Sequence, residues 1–351
     1  MKESTGSSIT WKVALGTGAG LMAAGTAWKW ARSVSTTGLD THTDSPAGDY
    51  DTALAQFARL QSLDDETINP VCRSQLLTHG HKVEHAIVLV HGITNCPQQF
   101  VEFAPLFYRA GYNVLIPRIP RNGLADRMTD ELKYLTAEEL RDFGNTLVDI
   151  VAGLGEHVTF VGLSAGGVVS AWVAQHRKEV DKSVLIAPSL GIGPLGIELS
   201  TLAMGIVLTI PNVPTQYFAP FQDGPQHSYF GYSSHSLAQV MRLGVSIYQS
   251  ARKKKPMAHS VMLITNGCDT AVSDKLTWRL ITTWRATGLE RLDIYRFGEE
   301  CHLIHDLIDP EQVQQQTAMV YPILFDLITR QPVPIGDSQS GIVQHIEVVK
   351  S

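Results

Sequence analysis

The sequence predicts an α/β protein with a mostly parallel central sheet, helices on both faces and a cap inserted among its later elements. Three observations predict it. From His85 onward, short β-branched apolar runs alternate with segments of helical spacing, and strand–helix–strand alternation builds parallel sheets. The first run, His85–Val90, is continuously apolar and rich in β-branched residues, as in a strand covered on both faces. Between Pro188 and Pro256 about seventy residues break the alternation where one crossover helix would suffice, and insertions of that size are lids or binding elements. The 351 residues, 44% hydrophobic and 18% charged, supply ample apolar material for such a core and exclude a wholly disordered chain.

Taken in order, the first element is a helix marked by Ala53, Phe57 and Leu60. His85–Val90 (HAIVLV) is the first buried strand. Gln98–Ala110 follows as a helix with Phe100, Phe103, Ala104 and Phe107 on one side, closed by Gly111. Asn113–Pro117 is the next strand. Thr136 and Glu139 form a capping-box pair that opens a helix running to about Leu154. Val158–Leu163 is a third strand, Gly166–His176 a helix and Ser183–Ala187 a fourth strand. After the insertion come strand Ser260–Thr265, helix Leu276–Thr287, strand Arg291–Phe297 and a closing helix, Glu311–Thr329. The insertion shows no clear strand. Its Leu195, Ile197, Leu199, Leu202, Met204, Ile206, Tyr217, Phe218, Phe221, Tyr229, Phe230 and Tyr232 suit a cap whose inner face meets an apolar ligand, although most such residues pack an insertion onto its body.

The ends read differently. Val13–Trp28 is sixteen residues without a charge, flanked by Lys12 and Lys29. It is short against the about 20 apolar residues of a bilayer-crossing helix. Residues 9–30 therefore read as an anchor, a signal cleaved after Ala27 or a Gly/Ala-rich extension. The expected location is membrane-associated or exported, with a cytoplasmic protein as the alternative. Ser33–Asp51 is polar and turn-rich, as a tether is. The domain reading is a segment and linker over 1–50, an α/β domain over 51–330 containing the 188–256 cap, and a tail over 331–351.

Several function classes are excluded. With 28 Lys+Arg against 34 Asp+Glu, the net charge of −6 argues against nucleic-acid binding. Cys72, Cys96, Cys268 and Cys301 are too few and too scattered for a disulfide-built scaffold, and no His, Cys or carboxylate set has metal-ligand spacing. No metal and no cofactor are expected. Arg252–Lys255 is a basic run that reads as a solvated helix end rather than a membrane-facing patch.

The chemistry-bearing residues stand after strands. Gly162-Leu163-Ser164-Ala165-Gly166 is a G-x-S-x-G between the third strand and a helix. A nucleophilic serine there must sit on a tight turn, and small residues two positions either side let the neighbouring backbones approach. Its hydroxyl needs a base oriented by a carboxylate. Asp269 follows the fifth strand, and Glu299–Asp306 follows the sixth, offering His302 and His305; the order Ser, Asp, His matches a hydrolase sheet. His305 is favoured because it precedes the turn through Asp309 and Pro310, and Asp306 reads as a local turn acceptor. The oxyanion that forms during acyl transfer needs two N–H donors. Ala165 offers one from a helix N-terminus and Ile93, in the loop after the first strand, the second. His91 reads as structural, and His79-Gly80, which precedes the strand, as a decoy.

Val90-His91-Gly92-Ile93-Thr94 after a strand, Pro97, Phe100, the Gly-Tyr-Asn-Val-Leu strand, G-L-S-A-G, G-C-D and I-H-D together resemble the α/β-hydrolase superfamily, and within it the esterase and monoacylglycerol-lipase-like serine hydrolases, over about Leu76 to Arg330. The resemblance implies an eight-stranded sheet with antiparallel strands before His85, a cap at 188–256, and hydrolysis of a small-molecule ester with an apolar acyl group through an acyl-enzyme. It assigns nucleophile, acid and base to Ser164, Asp269 and His305, and the oxyanion hole to Ile93 and Ala165. Acyl transfer, thioester or peptide cleavage on the same residues, and a non-catalytic ligand-binding protein, are the alternatives. Ile93 departs from the aromatic residue often found there. Cys268 and Cys301 flank the acid and base loops and read as free thiols, able to pair only if those loops adjoin.

Overall fold

The computed structural model describes residues 35–191, 197–216 and 224–330. The 9–30 segment, the 331–351 tail and Leu195, Tyr217, Phe218 and Phe221 of the insertion lie outside the described residues.

Seven strands form the main sheet: β1 (Gln75–Leu77), β2 (Val83–Val90), β3 (Asn113–Ile116), β4 (Gly155–Leu163), β5 (Lys182–Ile186), β8 (Ser260–Asn266) and β9 (Leu292–Phe297). Their order is β1-β3-β2-β4-β5-β8-β9, and all pairs are parallel except β1 with β3. The resemblance implied eight strands with more than one antiparallel; among the described residues the sheet has seven, with the short β1 alone antiparallel. The chain steps from β2 to β3, then returns across β2 to β4. The order in which strands are added therefore reverses between β2 and β4, which stay parallel, and open α/β sheets bind ligands outside the carboxyl ends of strands at such a point.

Period-two alternation divides the strand residues between two cores. Ala86, Val88, Val90, Val158, Phe160 and Leu263 face α3 (Ala137–Ala152), α4 (Ala165–His176), α6 (Ser234–Ala251) and α7 (Asp274–Ala286). Ile87, Leu89, Val161, Leu163 and Ile264 face α2 (Ala104–Arg109) and α8 (Thr317–Thr329) on the other side. The capping box is present: Thr136 Oγ1 accepts from Glu139 N–H and Glu139 Oε2 from Thr136 N–H. Two helix boundaries differ from the expectation. Gln98–Ala110 splits into a 3₁₀ turn, Pro97–Phe100, and the six-residue α2, whose start carries Pro105. The closing helix begins at Thr317 instead of Glu311, because Asp309 and Pro310 set a turn whose backbone N–H groups bond Asp306 and Asp309 side chains.

Residues 35–49 do not behave as the expected tether. Leu39 is fully buried, its carbonyl accepts from Trp172 Nε1–H, and Ala47 N–H donates to Asp149 O, all before α1 (Tyr50–Gln61) begins. The polar composition hid this because the segment packs through its backbone and a few scattered side chains, Leu39, His42 and Ala47, with no periodic pattern.

The insertion contains α5 (Ile197–Thr209), a two-stranded ribbon of β6 (Pro214–Gln216) and β7 (Gly231–Ser233), and α6. The ribbon corrects the expectation of no strand; three-residue strands are too short to show an alternating pattern. Met204 and Tyr229 are buried, whereas Leu202 and Ile206 face solvent at 48% and 49% exposure. The basic run 252–255 is exposed and follows directly on the end of α6. Among the described residues no helix is long and apolar enough to cross a membrane.

The cysteines divide into one bonded pair and two free thiols. Cys72 and Cys96, both buried, form a disulfide across 24 positions, a pairing that their spacing did not announce. Cys268 and Cys301 are free.

Candidate active site

The loops at the carboxyl ends of β2, β4, β8 and β9 carry the site. At the end of β4 the backbone turns sharply: Ser164 has φ 57° and ψ −112°, a left-handed conformation that costs a non-glycine residue on the order of 1–3 kcal/mol. The surrounding contacts impose it. A Cβ on Gly162 would lie 2.0 Å from Gly166 O, and one on Gly166 would lie 2.3 Å from Val90 O, so both positions exclude any side chain. Ser164 N–H donates to Ile186 O of β5, and Ser164 O accepts from Val168 and Ser189 N–H, which pin the turn on either side. Ala165 opens α4, where a first-turn N–H has no intrahelical acceptor.

The structure brings Asp269 and His305 together. The loop after β8 presents Asp269 and the loop after β9 presents His305, with Nδ1 and Oδ2 2.7 Å apart. Asp269's side chain is only 1% exposed and the imidazole 27%. Burial alone would raise the Asp269 carboxyl, but the hydrogen bond and charge of His305, together with Ala271 and Val272 N–H, hold it below the ordinary carboxylate range. A carboxylate on Nδ1 fixes the tautomer, leaving Nε2 as the atom free to exchange a proton. Ser164 Oγ makes no hydrogen bond among the described residues, so the serine is not bonded to either partner. His302 is exposed, in a left-handed conformation at the end of the 3₁₀ turn Glu299–Cys301.

His91 is wholly buried. Its Nδ1–H donates to Gly92 O at 2.7 Å and its Nε2 accepts from Ile119 N–H at 3.0 Å, while burial lowers its pKa to about 3. This neutral imidazole shapes the loop that carries Ile93, which is partly buried against the core. His79 lies away at the start of the sheet, stacked on Tyr108.

Several supporting residues escaped the sequence reading. Asn266, at the end of β8, donates through Nδ2 to Leu303 O and Ile304 O, tying the acid loop to the base loop. Its signal was a single buried amide closing an otherwise apolar strand. Asn95, Gln99, His227 and Asp309 meet in a buried polar cluster behind the site, for which the sequence offered no local pattern because the partners lie more than eighty positions apart. Asp306 accepts locally from Ile308 and Asp309 N–H, as its turn position suggested, and also joins this cluster.

Among the described residues no group of His, Cys, Asp or Glu is arranged to hold a metal ion.

A parallel sheet with one antiparallel edge, a strained serine between strand and helix, and an Asp–His pair on the loops after two later strands define an α/β-hydrolase-type scaffold. The sequence matches the alpha/beta hydrolase family over residues 87–323, more than half of its length, and the chain belongs to that family. In structure it is similar to a metagenome-derived lipolytic enzyme of the LipS and LipT pair, with a TM-score of 0.53 and 17% identity over 74% of this chain and 98% of that one. It is also similar to the monoacylglycerol lipase of Paleococcus ferrophilus, with a TM-score of 0.52 and 15% identity over 73% of this chain and 97% of the lipase. At these identities the likeness is one of fold. No curated protein matches the sequence.

Proposed function

We propose that the chain hydrolyses carboxylic esters, with Ser164 as nucleophile, His305 as general base and acid, Asp269 as the group that orients the imidazole, and the Ile93 and Ala165 N–H groups as oxyanion donors. The observation that carries this reading is the 2.7 Å pair of Asp269 and His305 on the loops that follow β8 and β9. Ser164 Oγ attacks the ester carbonyl as its proton passes to His305 Nε2. The alkoxide leaves with that proton and an acyl-serine forms. Water, deprotonated by the same nitrogen, then attacks the acyl-serine; the acid departs and the proton returns to Ser164. A serine–imidazole hydrogen bond is often long without substrate and tightens in the complex, so its absence here is compatible with the role. Two N–H donors aimed at the developing oxyanion are worth on the order of 100- to 1000-fold each in kcat.

The substrate class is a small ester with an apolar acyl group, supported by the lipolytic relatives and the apolar inserted helix α5. Ser164→Ala is expected to abolish turnover of short p-nitrophenyl esters and covalent labelling by a fluorophosphonate. Labelling retained at another residue, with turnover intact, contradicts the assignment.

A further inference from the structure

Behind the proposed site, Asp306 receives five hydrogen bonds and donates none. Its Oδ1 accepts from Ile308 and Asp309 N–H at 3.3 and 3.2 Å. Its Oδ2 accepts from Gln99 Nε2 at 2.8 Å, Gln312 Nε2 at 3.0 Å and Asn95 Nδ2 at 3.3 Å. Two of these donors come from the β2 loop, more than two hundred positions away in sequence. Gln99 relays the contact further, since its Oε1 accepts the N–H of Gly92, the residue before Ile93. Asn95 shares its amide with a second carboxylate, Asp309, at 2.7 Å, and Asp309 in turn meets His227 Nε2 of the insertion at 2.9 Å. Asp309 is fully buried, and so is the Asn95 amide that separates the two acids. A buried carboxylate, Asp309, beside a partly buried one, Asp306, is costly unless donors surround the pair; five reach Asp306 and three reach Asp309.

We propose that Asp306 is a positioning residue that locks the loop bearing the Ile93 N–H to the loop bearing His305, so that oxyanion donor and base keep one fixed separation. The inference rests on the ester-hydrolase reading for its kinetic consequence but not for its mechanical one. Because every neighbour of Asp306 is a donor, an amide at that position must turn an NH₂ group onto two or three N–H donors whichever way it flips. Gln99 is the one partner whose polarity can be reversed without losing the Gly92 contact: a carboxylate there still accepts Gly92 N–H and accepts a donor from an amide at 306.

The experiment compares full-length Asp306→Asn, Gln99→Glu, the double variant and Ser164→Ala. Asp306→Asn is expected to lower kcat on a short p-nitrophenyl ester about 100-fold, the scale of an ångström-level misplacement, with KM little changed. The double variant should regain about tenfold over Asp306→Asn, a coupling expected of side chains in direct contact. Additive losses, or equal changes in kcat and KM that follow the melting temperature, overturn the proposal. Amide hydrogen exchange gives a readout independent of turnover. Asp306→Asn should accelerate exchange in both 91–99 and 303–309, and Ser164→Ala in neither. Acceleration confined to 303–309 overturns the lock even if Ser164→Ala retains turnover and the ester-hydrolase reading fails. Should Asp306→Asn not fold, Gln99→Leu, which removes the relay alone, must produce the kcat loss and the faster exchange in 91–99, and no change in either overturns the proposal.

Discussion

Asp269 holds His305 from behind: Oδ2 lies 2.7 Å from Nδ1, and the carboxylate is almost completely shielded from solvent. Its carboxyl sits below the ordinary 3.8, so it is ionised throughout the neutral range. A depressed carboxyl contributes stability that is present above the unfolded value and lost as pH falls through the folded one, so the pair should fail only on the acid side. Asp269→Asn preserves the shape but removes the acceptor that fixes the imidazole tautomer. With the three residues in their proposed roles, the expected loss in kcat is on the order of 10³- to 10⁴-fold with KM nearly unchanged. Steady-state kinetics near neutral pH check it, and a loss below about tenfold argues against the assigned role.

The legible parts of this molecule were those set by local pattern. The strands of the main sheet from β2 onward announced themselves through short runs rich in β-branched and apolar residues, and α3 through Thr136 and Glu139. Ser164, Asp269 and His305 could be singled out as candidates because each follows a strand, and strand ends are a matter of local composition; of the three, the structure joins Asp269 to His305. What stayed hidden depends on partners distant in sequence. Cys72 finds Cys96, Asn95 finds Asp309, and Leu39 finds Trp172 only once the sheet has brought them together. The polar stretch before Tyr50 misled for the same reason: backbone carbonyls anchor it, and a backbone carbonyl has no sequence signature.

Gly162 and Gly92 flank the serine turn but differ in what they can tolerate. A methyl group on Gly162 meets a backbone oxygen at 2.0 Å, whereas one on Gly92 meets only Ser164 Cβ at 3.8 Å, an ordinary contact. Gly162→Ala is therefore expected to cost more than about 2 kcal/mol and Gly92→Ala less than about 1 kcal/mol. Urea unfolding of both variants measures the contrast, and equal losses contradict the close approach.

The disulfide between Cys72 and Cys96 fastens the outer end of the loop that begins at His91. Closing a loop of that length restricts the unfolded chain by about 3 kcal/mol in the chain-entropy treatment. Reduction, or the Cys72→Ala/Cys96→Ala double variant, should lower unfolding free energy by roughly that amount and loosen the same loop. Mass spectrometry after alkylation gives a direct check: four modified thiols in the unreduced, denatured protein, where the bond predicts two, contradict the pairing.

His91 makes the molecule sensitive to acid in a defined direction. Its imidazole is buried and neutral, with a pKa of about 3 against an ordinary 6.5, because no solvent reaches the ring to stabilise a charge; Nε2 accepts from Ile119 N–H in that neutral form. Below pH 6.5 the unfolded chain binds a proton here that the folded chain refuses. Stability is thus complete above that pH and falls as the solution is acidified toward 3, by about 1.4 kcal/mol per unit for a group of this kind. His176, lowered by burial to about 4, acts in the same sense. The expected outcome is an unfolding free energy that drops between about pH 6.5 and pH 5 while the His91 ring signals in NMR do not move. Protonation would replace an acceptor with a donor facing Ile119 N–H and so open the loop next to Gly92. A His91 midpoint above about 5.5 shows that the ring can be charged in the folded chain and removes the acid sensitivity assigned to it.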